Sequence, residues 1–119
     1  MVKVLITGAA GYLGSTLTEV LLDRGYSVDA LDNLMYEQTS LLHLCSNKNF
    51  RFINTDVTNF KFLKSIIPTY DVIIPLAAIV GGPACDKNKE LATKVNFEQI
   101  KCIVDNITTE QKLIMPNTN

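Results

Sequence analysis

Apolar runs of strand length alternate with amphipathic segments along this chain. The runs are 4–7, 27–31, 50–54, 70–78 and 112–115, and the segments with helical spacing are 12–24, 59–67 and 87–106. Residues 41–45 are also compatible with a short helix. Strands that alternate with helices predict an α/β fold. Right-handed crossovers with one reversal after the third strand give a doubly wound parallel sheet of five strands in the order 3-2-1-4-5.

Each helical segment carries apolar side chains at the spacing of one helix face. The faces are Leu17, Val20, Leu21 and Leu22 in the first segment, Phe60, Leu63, Ile66 and Ile67 in the second, and Leu91, Val95, Ile100, Ile103, Val104 and Ile107 in the third. We expect Thr58 or Asp56 to cap the second segment and Pro68 to end it. The fourth apolar run is continuous, which is typical of a parallel strand covered on both faces.

Glycines at three-residue spacing separate the first strand from the first helix. Gly8 allows a sharp turn, Gly11 allows a ligand to approach the backbone closely, and Gly14 allows the helix to pack tightly on the sheet. The free N–H groups and the positive dipole end of the helix then face the space over the turn. This strand, turn and helix predict a Rossmann-type sheet that binds a pyrophosphate at the helix N-terminus.

Asp32 closes the second strand, about twenty residues beyond the glycine turn. A dinucleotide-binding fold places an acid at this separation, where the carboxylate accepts hydrogen bonds from the adenosine ribose hydroxyls. A carboxylate there also repels a 2′-phosphate, which favours NAD over NADP. The alternative is that Asp32 and Asn33 form a polar turn after the strand and nothing more.

Composition narrows the possible partners and the cellular setting. The 119 residues suit one domain, and a net charge of -1 without a basic stretch gives no reason to expect nucleic acid or an anionic membrane surface as a partner. The irregular spacing of Cys45, Cys85 and Cys102 favours free thiols in a reducing cytoplasm over disulfides or a metal site. The apolar runs are too short for a transmembrane helix, and no signal-peptide pattern is present.

With these elements placed, the chain resembles the extended short-chain dehydrogenase/reductase superfamily and, within it, the NAD-dependent sugar-nucleotide epimerases and dehydratases. Residues 7–14 match the Thr-Gly-x-x-Gly-[Tyr/Phe]-[Ile/Leu]-Gly turn of these enzymes. The resemblance implies that the main chain of Tyr12 and Leu13 meets the pyrophosphate of NAD. It also implies that Asp32 and Asn33 hold the adenosine ribose.

The resemblance extends to three later positions. It implies that Asp56-Val57 touches adenine, that Leu76-Ala77-Ala78 forms the small-residue turn under the second half of the cofactor, and that Asn96 lies near the nicotinamide. From the residues themselves, Asp56 also fits a helix cap, and Asn96 also fits a solvated position on an ordinary helix.

Two features depart from the family pattern. Pro75 replaces the histidine that is common before the small-residue turn. The Tyr-x-x-x-Lys pair, whose lysine lowers the tyrosine pKa for acid-base work, is absent. The fourth residues after the tyrosines are Thr16, Ala30, Ser40 and Ile74. By register Thr118 matches the catalytic Ser/Thr of the family, although a terminal position of this kind also fits an unstructured tail.

We therefore expect residues 1–119 to be the NAD-binding, N-terminal part of an epimerase or dehydratase acting on a nucleotide sugar, truncated after the fifth strand and without the C-terminal substrate domain. Because the Tyr-x-x-x-Lys pair is absent, we expect no turnover by this part alone. The alternatives are a complete NAD-binding sensor or regulatory module and an interaction unit that has lost the ligand. The edge of the fifth strand, or an uncovered sheet face beside it, predicts a homo-oligomer.

Overall fold

The computed structural model describes residues 1–33, 41–77 and 89–116, which form a parallel sheet with helices on both faces. The strands are β1 (Lys3–Thr7), β2 (Ser27–Asp32), β3 (Phe50–Asn54), β4 (Val72–Pro75) and β5 (Lys112–Leu113). Their order is β3-β2-β1-β4-β5, and each neighbouring pair is parallel. The predicted fold class and strand order are confirmed. β4 and β5 are shorter than the predicted runs 70–78 and 112–115, and β5 pairs with a β4 of only 4 residues.

Within the described ranges, four α-helices connect or cover these strands. They are α1 (Tyr12–Asp23), α2 (Phe60–Ile66), α3 (Lys89–Thr93) and α4 (Gln99–Asn106), and the π-helical turn Lys94–Glu98 joins α3 to α4. The described residues also include two 3₁₀ turns, Leu42–Leu44 and Ile67–Thr69, so the short helix expected at 41–45 is a 3₁₀ turn. Across the described ranges, none of the helices combines the length and the apolar character that crossing a membrane requires.

β1 lies at the centre of the sheet and separates two hydrophobic clusters. Val4 and Ile6 belong to the cluster that includes the buried side of α1, whereas Leu5 belongs to the cluster that includes α2 and α4. Successive side chains of a strand point to opposite faces, and in a parallel sheet both faces are covered. The near-continuous apolar sequence of β1 follows from this double burial.

The buried face of α1 differs from the predicted one at Thr18, which is buried, and at Val20, which is exposed. Thr18 and Leu22 are buried with Gly14, whereas Val20 is exposed. Val20 lies two residues from both Thr18 and Leu22, which is about 200° around the helix. The helix also ends at Asp23, one residue before the end of the predicted segment 12–24.

Asn59, and neither Thr58 nor Asp56, caps α2. The Asn59 side chain accepts a hydrogen bond from the third main-chain N–H of the helix at 3.2 Å. Asp56 Oδ1 instead accepts the N–H of Thr58 at 2.8 Å, in a local turn before the helix. Pro68 lies within the 3₁₀ turn Ile67–Thr69 that follows α2 directly, a first-turn position where its missing N–H costs little.

The predicted third helix runs from α3 through the π turn to α4, with a buried stripe that differs from the expected one. The buried positions are Ala92, Val95, Gln99 and Ile103. Val104 is 50% exposed because it follows Ile103 by one residue, about 100° around the helix. The sequence pattern selected apolar residues and therefore missed a polar member of the buried stripe.

Candidate cofactor-binding site

Hydrogen bonds to β2 fix the turn between β1 and α1. The N–H groups of Gly8 and Ala9 donate to the carbonyl oxygen of Leu31 at 2.9 and 3.4 Å, and the N–H of Gly11 donates to the carbonyl oxygen of Gly8 at 3.2 Å. The turn therefore lies at the carboxyl edge of the sheet. β2 and β4 flank β1 on opposite sides there, so the strand order reverses at this point. Open α/β sheets bind their ligands at this kind of reversal.

Two glycines of the turn are required by the protein itself. Gly8 has a φ of 66°, and a Cβ atom built on it would lie 2.5 Å from the main-chain nitrogen of Ala77. A Cβ atom on Gly14 would lie 2.6 Å from the carbonyl oxygen of Gly8. The sharp turn at Gly8 and the tight packing of α1 at Gly14 agree with the roles expected from the sequence.

Gly11 is different, because the protein leaves room for a side chain there. Its φ of -71° and ψ of 177° are extended backbone that any residue adopts. Within the described residues, a Cβ atom on Gly11 would meet the carbonyl oxygen of Gly8 at 3.4 Å, an ordinary van der Waals distance, and no other non-adjacent atom within 4 Å. This open space adjoins the first turn of α1, where Tyr12 is 92% exposed and the first N–H groups have no partner within the helix. A helix N-terminus of this kind suits an anion.

Asp32 ends β2 and contacts the glycine turn. Its Oδ2 accepts the N–H of Ala10 at 3.0 Å, and the residue is 8% exposed. Its carbonyl oxygen accepts the N–H of Thr55 at 3.2 Å, which ties the end of β2 to the residue after β3. The carboxylate therefore lies beside the glycine turn, and its expected contact with the adenosine ribose stays a prediction.

Asn33 and Asp56 extend the site along the ends of β2 and β3. Asn33 Nδ2 donates to Asp56 Oδ2 at 3.1 Å, while Asp56 Oδ1 accepts the N–H and the hydroxyl of Thr58 at 2.8 and 2.7 Å. Burial acts to raise the pKa of Asp56, but these hydrogen bonds outweigh it and hold the pKa below its ordinary value. The carboxylate is thus charged at neutral pH. Val57, the next residue, is buried in the cluster that includes α2.

The residues after β4 form the third side of the site. The N–H of Leu76 donates to the carbonyl oxygen of Thr7 at 3.0 Å, and the N–H of Ala77 donates to Thr7 Oγ1 at 3.3 Å. Gln99 contacts both segments: its Oε1 accepts the Thr7 hydroxyl at 2.6 Å, and its Nε2 donates to the carbonyl oxygen of Ala77 at 2.9 Å. Sequence reasoning missed Gln99, although it follows Val95 at the four-residue spacing of a helix face.

The remaining predicted positions differ in where they lie. Tyr12 and Leu13 begin α1, and Asn96 lies in the π turn with an exposed side chain. Ala78 and Thr118 lie outside the described residues. The sheet edge thus brings together Gly8, Gly11, Gly14, Asp32, Asn33, Asp56, Leu76 and Ala77.

Comparison with known proteins identifies the group to which this site belongs. The model of the NAD-dependent epimerase/dehydratase family matches residues 4–112. The chain belongs to that family. UDP-glucuronate 4-epimerase from Thermodesulfobacterium geofontis is 40% identical over 92 residues, which are 71% of this chain and 28% of that protein. UDP-N-acetyl-α-D-glucosaminuronate decarboxylase from Bacillus cytotoxicus is 31% identical over 119 residues, 98% of this chain and 36% of that protein.

Solved structures of epimerases share the fold. UDP-glucuronic acid 4-epimerase from Bacillus cereus, in complex with UDP-glucuronic acid and NAD, superposes with a TM-score of 0.83 at 27% identity, covering 95% of this chain and 39% of that chain. The UDP-Glc/GlcNAc 4-epimerase from Campylobacter jejuni also gives 0.83, at 24% identity, with 97% of this chain and 36% of that chain covered. The NAD dependence of the epimerase/dehydratase family agrees with the predicted cofactor. The chain spans 28% and 36% of the length of the two curated relatives.

Proposed function

We propose that this chain binds NAD and forms the cofactor-binding part of an enzyme that acts on the sugar of a nucleotide sugar, as an epimerase or dehydratase. The relatives named above act on UDP-sugars, and the site has the donor and acceptor groups that NAD requires. When bound, NAD supplies the hydride acceptor for oxidation of a sugar carbon.

In this proposal each side of the sheet edge holds one part of NAD. The glycine turn and the first N–H groups of α1, at Tyr12 and Leu13, hold the pyrophosphate. The groups assigned to the adenosine half are Asp32, Asn33, Asp56 and Val57. The second half lies over residues 76–78, and Asn96 lies near the nicotinamide.

The observation that carries the proposal is the open space at Gly11. Gly8 and Gly14 are explained by backbone conformation and packing, whereas the described protein atoms leave room for a Cβ atom at Gly11. A glycine at this position is explained when a ligand occupies the space that a side chain would fill. The adjoining helix N-terminus favours an anionic ligand such as a pyrophosphate.

NAD titration by calorimetry of the chain and of Gly11→Ala tests this proposal. A methyl group at Gly11 has room in the protein, so we expect the free energy of unfolding to change by less than about 1 kcal/mol. We expect NAD affinity to fall at least about tenfold, because the methyl group displaces the pyrophosphate.

Thr16→Ala is the matched control, since it lies in the same part of α1 and adds no atom to the space beside Gly11. NAD affinity of this variant should equal that of the unchanged chain. A Gly11→Ala variant that binds NAD as well as the unchanged chain would contradict the proposed pyrophosphate position. An unchanged chain that does not bind NAD would contradict the proposed function.

We also propose that substrate binding and the acid-base pair of the enzyme belong to residues beyond this NAD-binding domain. Relatives are about three times as long as the matched region, and no tyrosine in the sequence has a lysine four residues later. In that arrangement residues 1–119 supply the cofactor site, with Thr118 contributing a hydroxyl near the substrate.

A further inference from the structure

Gln99 is a polar side chain in the interior of the fold. It is fully buried in the stripe that packs α4 against the sheet, where the neighbouring members Val95 and Ile103 are apolar. Burying an amide costs free energy unless its hydrogen bonds are remade, and ordering a glutamine side chain costs rotamer entropy. An apolar residue would fill this position without the cost of desolvating an amide.

The Gln99 amide makes three hydrogen bonds in this buried position. Its Nε2 donates to the carbonyl oxygens of Ala77 and Val95 at 2.9 and 2.8 Å, and its Oε1 accepts the hydroxyl of Thr7 at 2.6 Å. The same hydroxyl oxygen accepts the N–H of Ala77 at 3.3 Å. Thr7 and Gln99 therefore bind both main-chain polar groups of Ala77.

The π turn explains how the amide reaches this position. The main-chain N–H of Gln99 donates to the carbonyl oxygen of Lys94, five residues back, where an α-helix would pair it with Val95. The side-chain amide donates to the Val95 carbonyl in its place. Main chain and side chain of Gln99 thus stabilise the π turn together.

We infer that Gln99 is a positioning residue for the cofactor: it fixes the turn at Leu76 and Ala77 against Thr7 and Gly8 and so shapes the part of the site assigned to the second half of NAD. This inference rests on the proposed function, because it assigns a role within the same NAD site. The adenosine half is assigned to the ends of β2 and β3, which Gln99 does not contact in the described structure.

Comparing the binding of NAD with the binding of ADP distinguishes this positioning role from general stabilisation of the fold. ADP carries the adenosine and pyrophosphate of NAD without the nicotinamide riboside. In Gln99→Met, which keeps a side chain of similar length without the amide, we expect the Kd for NAD to rise about tenfold and the Kd for ADP to stay within about twofold. If Gln99 were merely structural, its substitution would raise the Kd for both ligands by the same factor.

Three further variants complete the experiment. Thr7→Val removes the hydroxyl that joins Gln99 to Ala77 and should reproduce the selective loss of NAD, whereas Thr7→Ser keeps the hydroxyl and should restore the ratio of the two Kd values. Ile103→Val lies on the same face of α4 and should leave the ratio unchanged. If Gln99→Met does not fold, Thr7→Val and Thr7→Ser carry the same comparison.

The possible results distinguish the two proposals. An unchanged chain that binds neither ligand contradicts the proposed function and the inference with it. If the unchanged chain binds NAD and both Gln99→Met and Thr7→Val weaken NAD and ADP equally, or weaken neither, the positioning role is wrong while NAD binding stands. A selective loss of NAD in both variants, restored by Thr7→Ser, supports the positioning role.

Discussion

Gly8 and Ala77 approach so closely that a Cβ atom on Gly8 would lie 2.5 Å from the main-chain nitrogen of Ala77. The contact joins the turn after β1 to the turn after β4, which are two of the three sides of the candidate site. The atoms in contact belong to the main chain, so a side chain at Gly8 cannot be accommodated by a change of rotamer. The separation between the two halves of the site is therefore set by the absence of a side chain at Gly8.

We expect Gly8→Ala to lower the free energy of unfolding by more than about 2 kcal/mol, because it adds this clash to the strain of a positive φ. Gly25→Ala is the matched control. Gly25 has a φ of 91° but no atom within 4 Å of an added Cβ. Gly25→Ala should therefore lower the free energy of unfolding by about 1 kcal/mol, through backbone strain without a clash. Urea denaturation of the two variants measures the difference, and equal losses would show that the contact with Ala77 carries no energetic weight.

The choice between NAD and NADP is predicted to depend on Asp32. Its carboxylate lies beside the glycine turn, and a 2′-phosphate placed there would meet a like charge. We expect NAD to bind at least about tenfold more tightly than NADP in calorimetric titrations. Asp32→Asn keeps an acceptor for the N–H of Ala10 and removes the charge. The variant should therefore bind NAD and NADP with more similar Kd values than the unchanged chain does. NADP binding as tight as NAD binding in the unchanged chain would show that Asp32 does not face the ribose.

Tyr70 is predicted to make the fold sensitive to alkaline pH. Burial of its phenol and the hydrogen bond it donates to Asp29 Oδ2 at 2.6 Å raise the pKa of Tyr70 above its ordinary value of about 10. Arg51 also donates to the same oxygen, at 2.8 Å, and opposes part of this rise. The unfolded chain therefore loses the phenolic proton at a lower pH than the folded chain does. The stability conferred by this group is complete below pH 10 and is lost as the pH rises toward the folded-state pKa.

Urea denaturation between pH 8 and about 11 checks this expectation against Tyr70→Phe. The variant loses a hydrogen bond to a charged group, so we expect it to be about 1.5 to 3 kcal/mol less stable at neutral pH. Above pH 10 its stability should fall less steeply than that of the unchanged chain. Tyr26→Phe, in the other hydrophobic cluster, should keep the full alkaline loss. Parallel stability curves for Tyr70→Phe and the unchanged chain would assign the loss to other groups.

Self-association is predicted at the β5 edge of the sheet. Ile114 and Met115 follow β5 and are 51% and 48% exposed beside that edge. Exposed apolar edges recruit partners, and a lysine at such an edge opposes pairing. We expect light scattering to show a dimer or larger assembly for residues 1–119 and a shift to monomer in Ile114→Lys. Val104→Lys, an equally exposed apolar position on α4, should not shift the equilibrium, and a monodisperse monomer of the unchanged chain at high concentration would refute the idea.

Residues 1–119 are predicted to bind NAD without turning over a nucleotide sugar. Loss of an acid-base pair costs a factor of about 10² to 10⁴ in rate, and the substrate part proposed above is separate from this domain. Incubation of purified protein with NAD and a UDP-sugar should therefore give no product above a blank without protein. Clear epimerase or dehydratase turnover would show that the chemistry does not need a Tyr-x-x-x-Lys pair.

Much of the fold and part of the site were predictable from the sequence, because they depend on local rules. The glycine spacing required a turn with a positive φ at Gly8, and the run of alternating elements required the order 3-2-1-4-5, which the structure has. The spacing of Asp32 from that turn predicted an acid at the adenosine ribose; the structure places the carboxylate beside the turn, and its contact with a ribose stays a prediction. These features are readable because each follows from backbone sterics or from the connectivity of parallel strands.

The positions that sequence reasoning missed depend on contacts between distant segments. Gln99 is buried because Thr7 and Ala77 supply its partners, and neither is near it in sequence. The sequence pattern does not reveal the hydrogen-bond partners of a polar residue on a helix face. The pattern therefore favours the apolar Val104 as a member of the buried stripe, although Val104 is exposed and Gln99 is buried. The apolar run 70–78 likewise gives no sign that the Tyr70 hydroxyl donates a hydrogen bond to Asp29, which lies 41 residues earlier.

The contact that joins β1 to β2 and the contact that joins β1 to β4 differ in how far apart their partners lie along the chain. Ala10 and Asp32 are separated by 22 residues, whereas Thr7 and Ala77 are separated by 70. Closing a longer loop costs more entropy, and contacts between distant residues form later in folding. During synthesis and refolding we therefore expect the β1–β2 side to close first and the β1–β4 side last.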